Sequence, residues 1–478
     1  MFQRPLIRSI LFLLIFISLP VLALSADSDT INMKDFGLIP NSRKNAVKLV
    51  QLALDSCRKL KRPVMVFKKG RYDFWPQYAT EKMYFESNTT ANNPKRCAIL
   101  LSDFNGLTID ANGSDFIFHD RIQPFTIDHS TGIAIKNLQV DWEIPLTAQA
   151  SVTDTGSNYI DISIDSVQFP FLVEQNKLVF VGEGWKSAVW GLMEFNPASG
   201  LIVPGTGDAG VLGNGWESYI AVDKGKGIVR MQYPFLRKPS IGSVLVLRHN
   251  ERDHAGIFIT GSNNVDLDSI TIYHTAGLGV LSQYSGDLHF RSVHVVPNTA
   301  KNRFFSGHDD GCHFSNCKGN ILLEHCSFRG LMDDPVNVHG TAVQVVEKKS
   351  DKELLCRFMH HQSTGMEWAF TGDSISFIDH NSMQSIGLGK VARFNALTET
   401  DFLLTFEDKV PANFQVHDAL ENITWTPSIT IRNSLFAVNR ARGILVSTPG
   451  KVLIEGNTFQ SSGSAILIAG DANQWFES

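Results

Sequence analysis

Two pairs of adjacent carboxylates, Asp309-Asp310 and Asp333-Asp334, lie 24 residues apart. Carboxylates brought close together repel, so at least one should hold its proton more tightly than an isolated Asp unless a cation intervenes. An un-ionised carboxyl beside an ionised one is what glycoside hydrolysis requires. One protonates the leaving oxygen; the other activates water or attacks carbon. A solvated acidic turn, with or without Ca²⁺, is the competing reading. His308, His313, Asn337 and His339 lie near the acids in sequence, and Arg440 and Arg442 lie at the matching place of a later repeat; all are candidate substrate contacts. Gly470–Glu477 adds Trp475, whose ring suits the apolar face of a galactose-like sugar or, equally, a buried plug.

A repeat of short strands must position these residues. Apolar residues recur at relative positions 0, 2, 5 and 7. Copies begin at Ile133, Val265, Leu288, Ile321, Ile429 and Val452. Alternation at 0 and 2, then at 5 and 7, describes two strands with a phase slip between them. Spacings of 23 residues, Val265 to Leu288 and Ile429 to Val452, fit one coil of a parallel β-helix. Ser434 and Asn457, at core positions, then need partners from stacked polar ladders. A third strand follows about 14 residues after position 0, at Gly279, Pro335 and Gly443. Leu278, Asp334 and Arg442 immediately precede it, and nine extra residues bring Asp310 to the same place. Asp310, Asp334 and Arg442 should therefore share one edge. Strict alternation groups Asp334 with buried Val336, so Asp334 reaches a groove only if the chain bends before Pro335.

Two gaps interrupt the repeat, and both contain strand-like runs, such as Tyr159–Ile164 and Asp401–Phe406. Small β-barrel-like domains inserted in coil-to-coil loops explain them better than long unstructured loops. The expected fold is all-β: a right-handed parallel β-helix with such insertions and a short N-terminal capping helix. That helix carries Ala46, Val50, Ala53, Leu54 and Cys57 at helical spacing, with Asn41-Ser42 as its cap. The expected division is a signal peptide at 1–26, cap and first coils at 27–143, and an insertion at 144–250. Central coils with the aspartates follow at 251–340, a second insertion at 341–425, and C-terminal coils at 426–478.

Arg4 and Arg8, the apolar run Leu11–Leu24 and small residues at Ala23, Ser25 and Ala26 predict a secretory signal, hence a periplasmic or secreted protein. The run is shorter than the roughly 20 residues of a membrane span, so no stable membrane anchor is expected. The chain has 478 residues and a net charge of −5 with no dominant basic patch, which argues against nucleic acid as a partner. The six cysteines match no zinc spacing and contain no CxxC, and most read as small buried hydrophobes. Asn88-Thr-Thr90 matches a glycosylation sequon. Nothing after Ala465–Ile468 resembles a solenoid cap, so the chain is expected to be a shortened version of a longer protein.

Asp35-Phe-Gly37, the following helix and Val64–Phe67 resemble the N-terminal cap of pectinase-type β-helix proteins. Gly307–Cys312, Leu331–His339 and Gly470–Glu477 resemble glycoside hydrolase family 110, exported bacterial exo-α-1,3-galactosidases. The resemblance implies inverting hydrolysis of terminal α-1,3-linked galactose from blood-group-B-type and linear Gal-α-1,3-Gal glycans, with no metal or organic cofactor. It carries the catalytic role to Asp310, Asp333 and Asp334, with acid and base left open. Substrate contacts are expected from Asp309, His308, Asn337, Arg442, Trp475 and Glu477. A polygalacturonase-like hydrolase on the same scaffold, or a non-catalytic glycan-binding β-helix, are the alternatives.

Overall fold

The computed structural model describes residues 29–89 and 92–478. The expected signal peptide, 1–26, lies outside the described residues, as does Thr90 of the sequon.

Two long parallel sheets run the length of a right-handed β-helix. The first is built from the repeat. Its strands Thr131–Trp142, Asn263–Ile272, Gly286–Val295, Lys318–Glu324, Ser428–Arg432 and Val452–Glu455 pair in that order. Position 0 stacks on position 0: Val265 pairs with Ile133 and Leu288, and Ile429 with Ile321 and Val452. The phase slip has a local cause. In all six copies the residue at position 4 is left-handed: Asn137, Ser269, Ser292, His325, Asn433 and Gly456 have φ between 50° and 63°. One such residue turns the pleat over, so positions 5 and 7 face the same core as 0 and 2. Phe328, Phe436 and Phe459, all at position 7, stack with ring centroids 5.4 and 4.9 Å apart, close to the spacing of adjacent strands. The polar ladder forms as well. Ser434 Oγ accepts from the Cys326 amide (3.0 Å), and Asn457 Oδ1 accepts from the Ser434 amide (2.9 Å).

The second sheet holds Gln123–Asp128, Ile257–Thr260, Val280–Gln283, Cys312–Ser315, Val336–His339, Ile444–Val446 and Ile466–Ile468, all parallel. Its register aligns Val280, Cys312, Val336 and Ile444. Counting back two residues in each strand puts Leu278, Asp310, Asp334 and Arg442 on one edge, including the shift at Asp310.

Between Trp142 and Ile257 the chain leaves the helix to form a seven-stranded antiparallel sheet and a three-stranded one. Between His339 and Ser428 it forms a closed six-stranded barrel with its own core around Trp368, Phe377 and Phe402. The capping helix spans Val47–Cys57 and buries Val47, Val50, Ala53, Leu54 and Cys57. Its cap differs from the sequence reading. Asn45 Oδ1 accepts from the Val47 amide (3.1 Å), while Asn41 sits in a left-handed turn and binds the Arg71 amide. All six cysteines are buried and free.

Candidate active site

Alternation along the second sheet sends Cys312, Phe314, Val336 and Val338 into the core and His313, Asn337 and His339 outward. Those outward residues are not solvated. The C-terminal segment folds back over them: Thr341 bridges to Glu477 in antiparallel fashion, and the Ala342 amide donates to Phe476 O (2.8 Å). Asp471 stabilises the turn that permits this by accepting from the amides of Asn473 and Gln474 (2.7 and 3.1 Å). Glu477 is thereby carried under the sheet. It accepts from Asn88 Nδ2 (2.7 Å) and Asn337 Nδ2 (3.4 Å), and lies 3.5 Å from His339 Nε2. The barrel insertion holds Asn88 in turn, through Ser363 Oγ to Asn88 Oδ1 (3.0 Å).

The result is a cavity of about 240 Å³ on the outer face of the sheet. Asp310, Asp333, Asp334, Arg252, Arg440, Arg442, Asn337, Trp475 and Glu477 line it, among others. The chain bends at Met332, Asp333 and Pro335, so both members of the second acidic pair reach it despite their opposite parity.

The four carboxylates divide into two kinds. Asp309 and Asp333 are held by arginines. Arg252 spans both, with Nε 3.0 Å from Asp309 Oδ1 and Nη2 2.6 Å from Asp333 Oδ2. Arg248 adds a contact to Asp309 (3.2 Å), and Arg440 one to Asp333 (3.2 Å). His308 Nδ1–H donates to Asp309 Oδ2 (2.7 Å). Burial favours the neutral acid at both positions. Arg252, His308 and Arg248 nevertheless hold Asp309 well below the usual carboxylate range, and Arg440 and Arg252 keep Asp333 low.

Asp310 and Asp334 behave oppositely. Burial, then the charge of Asp333, pushes Asp310 well above the carboxylate range against the pull of Arg252. Burial, Asp310 and Asp333 push Asp334 up to about 8, although Arg442 binds it through Nη2 (2.6 Å) and its own amide (2.8 Å). Glu477 is shifted low: burial raises it, and the hydrogen bonds it accepts from Asn88 and Asn337 are among the contacts that pull it down. Two carboxyls with raised proton affinity thus share a cavity with two, Asp333 and Glu477, whose affinity is lowered. This arrangement can donate a proton and accept one within a single site.

The cavity gathers the sequence-predicted Asp310, Asp333, Asp334, Asn337, Arg442, Trp475 and Glu477. Trp475 is 42% exposed and packs against His360, with ring centroids 4.2 Å apart, so it is no buried plug. Asp309 and His308 are fully buried behind the cavity wall and do not line it. Asp309 instead pairs with Arg252 and Arg248 behind that wall. Arg252, Arg248 and Asn88 were not anticipated as site residues. The charged run Arg248-His-Asn-Glu-Arg-Asp-His254, directly before a coil strand, was the available signal. Among the described residues no cluster of His, Cys, Asp and Glu has the geometry of a metal site.

Family models of the GLAA-B β-barrel domains I and II match residues 148–245 and 353–420. The chain is 50% identical over 457 residues to α-1,3-galactosidase B of Bacteroides thetaiotaomicron, covering 95% of this chain and 74% of that protein. It is 34% identical to α-1,3-galactosidase A of Bacteroides fragilis, with 94% and 74% covered. It is 32% identical to an α-1,3-galactosidase B of Phocaeicola vulgatus, with 92% and 76% covered.

Proposed function

Because the chain belongs to glycoside hydrolase family 110, the family of the α-1,3-galactosidases, we propose that it is an exo-acting glycosidase releasing terminal α-1,3-linked galactose. Its substrates are blood-group-B-type and linear Gal-α-1,3-Gal glycans. One observation carries the mechanism: Asp310 and Asp334, whose proton affinity burial and neighbouring carboxylates raise, line the same cavity as Asp333, whose affinity Arg440 and Arg252 lower. Asp310 or Asp334 protonates the departing glycosidic oxygen, and Asp333 takes the proton from the attacking water. Water enters opposite the leaving group, so β-galactose is the first product. At about 240 Å³ the cavity is smaller than the roughly 300–1,000 Å³ of pockets for drug-sized ligands, which suits one terminal sugar. Asn337 Oδ1, buried and without a protein partner among the described residues, is available to a sugar hydroxyl. Trp475 offers a ring to the sugar's apolar face.

The test pairs two substrates with different leaving groups. Nitrophenol departs without protonation, whereas a sugar alkoxide does not. The Asn variant of the proton donor should lose hydrolysis of Gal-α-1,3-Gal while keeping much of that on nitrophenyl α-galactoside. Asp333→Asn should lose both. Wild-type protein that releases no galactose from Gal-α-1,3-Gal, or releases α-galactose first, contradicts the proposal. We further propose export to the periplasm or medium, from Arg4, Arg8 and Leu11–Leu24. A mature N-terminus near residue 26 or 27 supports it, and a retained Met1 overturns it.

A further inference from the structure

His313 and His339 form a chain behind Asp310 whose hydrogens can be counted. His339 Nδ1 lies 2.7 Å from the carbonyl oxygen of Gly340. A carbonyl has no hydrogen to give, so His339 Nδ1 carries one. His313 Nε2 and His339 Nε2 are 2.8 Å apart, a contact that needs one hydrogen between two ring nitrogens. His313 Nδ1 and Asp310 Oδ2 are 2.8 Å apart and need a third. Two neutral imidazoles supply only two. The third must come from an added proton, which makes the trio of Asp310, His313 and His339 neutral rather than singly negative.

We propose that His313 and His339 are positioning residues that lodge this third proton on Asp310, keeping it loaded as the proton donor of the hydrolysis. The inference rests on the reading of Asp310 as a proton-bearing catalytic carboxyl. With His339 Nδ1 committed to Gly340, its Nε2 accepts from His313 Nε2–H. His313 Nδ1 is then a lone pair, and Asp310 satisfies it only as the un-ionised acid. The surroundings agree. Asp310, His313 and His339 are all nearly inaccessible to water, which disfavours an extra charge on either ring. Burial and His339 hold the proton affinity of His313 well below its usual value. The charged and titratable groups facing the trio are Asp309, Asp333, Asp334, Glu477 and Arg252. After Asp310 gives its proton to the leaving oxygen it is a carboxylate, and His313 Nδ1 faces it without a hydrogen. That mismatch favours uptake of one proton, matched by release of the proton that Asp333 took from the attacking water, and the two transfers together restore the resting state.

His339→Phe removes the acceptor for His313 Nε2–H. His313 can then carry its hydrogen on Nδ1 and donate to an ionised Asp310. The alkaline limb of kcat/KM on Gal-α-1,3-Gal should move acidward by about one pH unit, a tenfold change in proton affinity. KM should stay within a few-fold of wild type. His339→Gln, whose amide oxygen can accept the same hydrogen, should restore the limb. Nitrogen-15 spectra of histidine-labelled wild-type protein give an independent reading that needs no variant. His313 should be neutral with its hydrogen on Nε2, and His339 neutral with its hydrogen on Nδ1. An imidazolium at either position, or an unmoved limb in folded His339→Phe, overturns the inference. Either result leaves galactose release intact, whereas a wild-type chain inactive on Gal-α-1,3-Gal would instead remove the proposed function.

Discussion

Asp309 and Asp333 stand in register one coil apart, and so do Asp310 and Asp334. All four are the same side chain, and burial opposes the charge on each. Their proton affinities shift in opposite directions because neighbouring residues on a bent chain meet different partners. Arg252 reaches one pair from a preceding coil and bridges both members. The other pair meets a histidine at Asp310, a single arginine at Asp334, and each other. Charge and proton are thus separated by a one-residue step, and the solenoid repeats that step exactly once more in the next coil. Stacked acids become useful when the cations are distributed unequally between them.

The difference can be broken from either side. The largest expected effect is on rate: Asp310→Asn, Asp333→Asn and Asp334→Asn should each lower turnover of Gal-α-1,3-Gal by about 10²–10⁴-fold, the contribution of general acid–base assistance. Steady-state kinetics with circular dichroism, to verify folding, checks this. Asp309→Asn, outside the cavity, should cost less than about tenfold.

Stability should separate the pairs by sign. Arg252→Met leaves two buried carboxylates without their shared cation and should destabilise by about 3–5 kcal/mol near pH 7. The folded-state affinities of Asp309 and Asp333 for protons are depressed, so the stability they contribute is present at neutral pH and fades in acid. The deficit of Arg252→Met should therefore shrink as pH falls toward 3 in urea titrations. Asp334 is the reverse case. Its proton affinity is raised from 3.8 to about 8, so the wild-type fold loses stability as pH rises across that window. Asp334→Asn, which Arg442 can still bind, should be more stable than wild type by on the order of 1–3 kcal/mol near pH 8, and not near pH 4. Thermal melts at the two pH values read this difference.

The smallest effect belongs to the rim. Trp475→Ala should raise KM by about three- to tenfold, the worth of one aromatic contact, with kcat nearly unchanged. Inhibition by free galactose would report the same loss.

Much of this architecture was legible because a β-helix writes its geometry into parity. The 0-2-5-7 pattern located the core, and one left-handed residue per copy explains its slip. Register then followed by counting, which placed Asp310, Asp334 and Arg442 on one edge. What counting could not supply lies off the ladder. Arg252 arrives on an irregular segment between the first insertion and a coil, with no periodicity to fix its direction. Glu477 reaches His339 only because its segment turns back antiparallel to Thr341. Asn88 depends on Ser363 of the barrel, 275 residues away in sequence. Sequence spacing shows that Asp309 adjoins Asp310 but not which of the two a distant arginine will claim, and Arg252 holds Asp309 behind the cavity wall.

The division of the four acids can be observed directly by infrared spectroscopy, through the C=O stretch of un-ionised carboxyl groups at pH 7. Difference spectra between wild type and each Asn variant isolate one side chain at a time. The account predicts an un-ionised carboxyl band that is lost in Asp310→Asn and Asp334→Asn and untouched in Asp309→Asn and Asp333→Asn. A band lost in Asp333→Asn, or none lost in Asp310→Asn, would contradict it.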